Sequence, residues 1–108
     1  MPSDDDFSQL VVPPSFVALY QAPHASKPRI PRAELAQRHE LCEDMAQMLA
    51  EQAGAQRAAL GVTEADVLQR IGQGLAASPE VFSADEAGWV LQRLAELLDW
   101  PPPPRWAD

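Results

Sequence analysis

The stretch SADEAGWVLQRLAELLDW, residues 83–100, decides the fold class. Ser83 followed three residues later by Glu86 is a capping box. The serine hydroxyl accepts from the Glu86 N–H, and the Glu86 carboxylate reaches back to the Ser83 N–H. Behind it Ala87, Val90, Leu91, Leu94, Leu97 and Leu98 recur at spacings of three and four, which makes one apolar stripe on a helix. Pro101 disfavours helical geometry in the residue before it, so the helix is expected to end at Trp100. Trp89 falls outside the stripe, about 140° from Leu94 at ~100° per residue, beside Arg93. A tryptophan there needs cover, from another segment of the chain or from a partner.

Upstream, two further helices follow the same logic. Thr63 is an N-cap, with Glu64 and Asp66 in a first turn whose dipole favours carboxylates. Leu68, Ile71 and Leu75 then share one face, with Gly72 and Gly74 inside the helix at a cost of about 1 kcal/mol each relative to alanine. From Pro31, a residue suited to a first turn, Leu35, Leu41, Cys42, Met45, Met48 and Leu49 fall on one arc. This helix ends at Gly54 or continues through AQRAAL to Gly61. A short helix over FVALYQ, 16–21, follows Pro13 and Pro14, with Ser15 as its expected N-cap. The stretch 22–31 is too rich in proline for helix and reads as an extended connection.

No segment alternates as a strand does. The expected fold is all-α: a small bundle of three main helices plus a short N-terminal helix. Residues 1–9 are expected to be a disordered acidic tail, 10–100 one helical domain, and 101–108 a proline-rich tail packing on it. In that tail WPPPPRW, residues 100–106, makes a stiff polyproline rod between two tryptophans. Its delivery beside the last helix favours a closure, with Trp100 against the core, over a displayed ligand.

Composition narrows the function classes. The 108 residues fit a single domain, and the eleven prolines cluster at connections. A net charge of −8 argues against a broad nucleic-acid or anionic-membrane surface. One cysteine allows no intramolecular disulfide, the acidic N-terminus lacks the pattern of a signal peptide, and no apolar run reaches membrane-spanning length. A cytoplasmic location is expected.

The chain holds few candidates for chemistry. His39, Cys42 and Glu43 lie within about one turn, but a zinc-protease helix has a second histidine where Glu43 stands. Cys42 sits in the apolar arc, where a thiol behaves as a small hydrophobe. The glycines form no phosphate-binding loop. No catalytic residue, metal or cofactor is expected. The run LGVTEADVLQRI, 60–71, resembles a helix-turn-helix, and a nucleic-acid binder using residues 57–71 is the alternative reading. Arg57 fits poorly at the helix crossing, however, and Glu64 and Asp66 would repel phosphates.

The remaining features point to protein binding. His24, Lys27, Arg29, Arg32 and Arg38 gather in a short span whose only acid is Glu34. Such a strip suits an acidic partner, or Asp4–Asp6 of this chain or a second copy, so a homo-oligomer is a candidate assembly. The candidate partner-binding residues are Trp89, Arg93, Trp100, Trp106, Lys27, Arg29 and Arg32.

Taken together, PPSFVALY (13–20), PRAELAQRHELCEDMAQ (31–47), GVTEADVLQRI (61–71) and SADEAGWVLQRLAELLDW (83–100) resemble a family of short, uncharacterised proteobacterial helical proteins. Some of its members carry the label "ATPase with chaperone activity". The resemblance spans most of the chain and implies a helical fold and a chaperone-related role as a further alternative. It supplies no catalytic residue to carry over. The expected function is that of a non-enzymatic adaptor, helper or regulator acting on an unidentified protein partner.

Overall fold

A computed structural model describes residues 12–21 and 29–101. Among them the chain is all-helical, with no strand and four α-helices. These are α1 (Pro14–Val17), continued by a 3-10 turn (Ala18–Tyr20), α2 (Arg32–Leu60), α3 (Glu64–Ala76) and α4 (Ala84–Leu98). No helix is long and apolar enough to cross a membrane among the described residues. The chain divides into two compact units, Met1–Leu41 and Cys42–Asp108, with the boundary inside α2. The acidic tail 1–9, the connection 22–28 with Lys27, and the tail beyond Pro101 with Trp106 lie outside the described residues.

In the first unit, α1 begins differently from expectation. Pro13 occupies the N-cap and Pro14 the first helical position, where its missing N–H costs nothing, so Ser15 is not the cap. The Phe16 ring is fully buried, 5.7 Å from Tyr20 and 5.4 Å edge-on to His39. Arg29 closes the chain back onto this turn. Its backbone N–H donates to the Tyr20 carbonyl at 2.7 Å, and its guanidinium donates to the Tyr20 and Leu19 carbonyls at 3.2 and 3.0 Å. These are carbonyls at the open end of a helical turn, which a cation satisfies well. The guanidinium also lies 5.9 Å from the centre of the Tyr20 ring.

The helix α2 runs through Gly54 to Leu60, about 43 Å at ~1.5 Å per residue. The Leu35 N–H donates to the Pro31 carbonyl, so Pro31 stands at the N-cap and not inside the first turn. At the far end Gly61 adopts φ +66°, and its N–H donates to the Arg57 carbonyl at 3.0 Å. That left-handed cap favours glycine and explains why the helix stops there and not at Gly54. The buried side also differs from the expected arc. Leu35, Cys42, Ala46 and Ala53 are buried, whereas Leu41 and Met48 are exposed. The four buried residues lie within about 40° of one another at ~100° per residue, on a narrow side made mostly of small residues. Burial on this helix therefore follows position and not hydrophobic bulk.

In the second unit, α3 starts as expected, with the Thr63 hydroxyl accepting from the Asp66 N–H at 3.1 Å. Val67, Leu68, Ile71, Gly72 and Leu75 are its buried residues, and α3 packs on α4. The Ser83 capping box of α4 forms in both directions, at 2.9 and 3.1 Å. Phe82 before it and Ala87 within the first turns are both buried, the two positions of a hydrophobic staple. Burial on α4 exceeds one stripe: Glu86, Ala87, Gly88, Trp89, Val90 and Leu91 are all buried in succession. The helix ends at Leu98, not Trp100. Asp99 takes the left-handed conformation (φ 57°), its N–H donates to the Glu96 carbonyl and the Trp100 N–H to that of Ala95. This is a Schellman motif with aspartate in the glycine position, and Pro101 follows it.

Candidate interaction surface

Trp89 leads the surface expected from the sequence. Its indole is only 8% exposed in the single chain, so of the two alternatives the chain itself supplies the cover. The reason lies in the helix. With every residue from 86 to 91 buried, there is no solvent side for Trp89 to occupy, and an apolar-all-round segment is an interior one. Trp100 is half-buried.

Arg93 is engaged within the second unit. Its Nε donates to Glu43 Oε1 at 2.9 Å and Oε2 at 3.1 Å, and Nη2 donates to Oε2 at 3.1 Å. Nη1 donates to Glu96 Oε1 at 3.1 Å. Gln47 Nε2 adds a bond to Glu43 Oε2 at 2.8 Å from the next turn of α2. The fork of the guanidinium therefore ties α4 to α2 with fixed geometry. The hydrogen bonds to Glu43 raise the Arg93 pKa above its ordinary value; partial burial opposes this, and Glu96 adds to it. The sequence placed Arg93 beside Trp89 but gave no sign of Glu43 as partner, because the two lie fifty positions apart.

Arg29 is likewise occupied, by the carbonyls of the α1 turn. Arg32 is exposed at the start of α2 and has an interaction of its own within the chain. Arg29 and Arg32 belong to the first unit and Trp89 and Arg93 to the second. Cys42 is fully buried and forms no disulfide, and His39 meets the edge of Phe16. Among the described residues no group of three or more potential ligands could hold a metal ion. At the turn between α2 and α3, Arg57 and Glu64 stand 4.0 Å apart and both are solvated. The outer side of α3 carries Asp66, Gln69, Arg70 and Gln73.

The large apolar side chains that do face solvent are others: Leu41, Met48, Leu60 and Val81. In the second unit's part of α2, Met48 is 49% exposed, with exposed Asp44, Glu51, Gln52 and Ala55 around it. Sequence reasoning missed Met48 as a surface residue because it assigned the helix's buried side by hydrophobicity alone.

An all-helical chain with these elements defines no activity by its fold. No protein-family model matches the chain, and no curated protein or solved structure matches it either.

Proposed function

We propose that this chain is a non-enzymatic, cytoplasmic protein-interaction protein, an adaptor or helper that presents a helix surface to another protein. In this reading its helices form a small bundle, and the resemblance to short proteobacterial helical proteins fits a helper role. The supporting observation is the exposure of Met48 on the solvent side of α2, at 49%, beside polar and small residues. Methionine is a flexible, polarizable side chain that recurs at adaptable binding surfaces. Trp89 does not carry this reading, because it is covered within the chain.

The test is site-specific photocrosslinking in the producing cell. A photoreactive residue at position 48 gives a discrete crosslinked product with one protein, while the same residue at exposed Gln92 on α4 gives none. No product from position 48, or the same spread of products from both positions, would overturn the proposal.

A further inference from the structure

The two signs of charge are used differently in this chain. Among the described residues, Arg29, Arg32, Arg38, Arg57 and Arg93 have partners within the chain, Arg29 through backbone carbonyls, and Arg70 is exposed on α3. The carboxylates of Asp44, Glu51, Glu80 and Asp85 are exposed, and none of them enters an ion pair or side-chain hydrogen bond among the described residues. The formal net charge of the whole chain is −8, and Arg93 is held in close contact with the carboxylates of Glu43 and Glu96. The expected acidic partner faces a basic strip whose His24 and Lys27 lie outside the described residues, whereas the exposed carboxylates lie within them. Complementarity now runs the other way.

Two of those carboxylates flank the exposed apolar side chain. Asp44 lies four residues before Met48 and Glu51 three after it, so both stand within about 60° of it on the helix surface at ~100° per residue. Gln52 and Ala55, both exposed, continue the same side without a bulky group. An apolar anchor, carboxylates along one edge and a low surface beyond are what an amphipathic segment with lysines and arginines requires.

We infer that the occupant of this side of α2 is a cationic amphipathic segment of another protein. Its apolar residue rests on Met48, and its basic side chains meet Asp44 and Glu51. This rests on the protein-binding reading above and specifies the partner's chemistry. A basic partner also meets the long-range attraction of the whole acidic chain, which speeds encounter and fades with salt.

The experiment uses the full chain and a fluorescein-labelled amphipathic peptide of leucine and lysine, read by fluorescence anisotropy. Binding is expected and weakens with rising salt. Met48→Ser weakens it about fivefold, from the lost apolar contact. Asp44→Asn with Glu51→Gln weakens it about tenfold and flattens the salt dependence. Glu80→Gln with Asp85→Asn, which removes equal charge elsewhere, changes affinity less than about twofold. Circular dichroism confirms that each variant keeps its helix content. Absence of peptide binding overturns the inference, as does an equal loss in the Glu80/Asp85 variant, which would mean general attraction only. A leucine–glutamate peptide separates the two proposals. If it binds and Met48→Ser abolishes that binding, the cationic assignment fails while the docking side stands.

Discussion

The helix α4 and the second unit's part of α2 are both regular helices of similar apolar content, yet they are used in opposite ways. From Glu86 to Leu91 every residue of α4 is buried, and Leu94 and Ala95 extend that burial. On α2 the last buried residue is Ala53. Beyond it Gly54, Ala55, Arg57, Ala58, Ala59 and Leu60 are all exposed. The two helices are therefore stabilised by different contributions. Burial of aliphatic and aromatic surface dominates α4. The end of α2 depends on alanine propensity, continuation of a helix already nucleated, and the Gly61 cap.

The largest break in this comparison is a core truncation. Leu91 on α4 is fully buried, so Leu91→Ala should destabilise the fold by about 2–5 kcal/mol through lost transfer energy and a residual cavity. The corresponding truncation on α2, Met48→Ala, should stay within about 0.5 kcal/mol because the site is solvated. Urea denaturation of both variants measures the contrast. Equal losses would mean that Met48 is covered in solution.

A smaller effect tests the link between the two helices. Arg93→Ala removes the bidentate contact to Glu43 and should cost about 1–2 kcal/mol, a value limited by partial exposure of both side chains. In a double-mutant cycle with Glu43→Gln most of that cost should appear as coupling. The pH dependence has a definite sign. Because the folded Arg93 pKa is raised, its contribution is fully present below the ordinary arginine range and is lost only as pH rises through it. Unfolding measured between about pH 7 and 9 should therefore show the Arg93 contribution unchanged.

Next comes the cap. Ser83→Ala removes the acceptor for the Glu86 N–H and one half of the capping box, for about 1 kcal/mol. Thermal unfolding reads this directly. A loss near zero would mean that the buried Glu86 side chain alone holds the helix start.

How much of this was legible in the sequence depends on the range of the interaction. The Ser83 and Thr63 caps were readable because their hydrogen bonds span three residues. The helical periodicity of α4 was readable, but not its burial all round, which depends on how many neighbours surround a helix. The buried side of α2 was misjudged for a related reason. Hydrophobic bulk marked Leu41 and Met48, while packing took Cys42, Ala46 and Ala53, whose small volume matters only once a neighbour is close. The Arg93–Glu43 pair joins residues fifty positions apart and left no local mark. Of the candidate surface, Trp89 was read as needing cover, which the chain supplies, while Arg93, read as a candidate partner-binding residue, is held by Glu43 and Glu96.

The smallest effect has the opposite sign. Gly54 lies inside α2, and a Cβ placed on it would meet no heavy atom within 4 Å. A helix-interior glycine costs about 0.5–1 kcal/mol relative to alanine through the entropy of its unfolded state. Nothing inside the described chain offsets that cost, since no close approach needs the missing side chain. Gly61 is different: its left-handed φ of +66° would strain any side chain. Gly54→Ala should therefore stabilise by about 0.5–1 kcal/mol, and Gly61→Ala should destabilise by a similar amount or more. Paired thermal melts decide this. If Gly54→Ala is destabilising, the end of α2 is in contact in solution, and the contrast with α4 would have to be redrawn around a covered surface at that end.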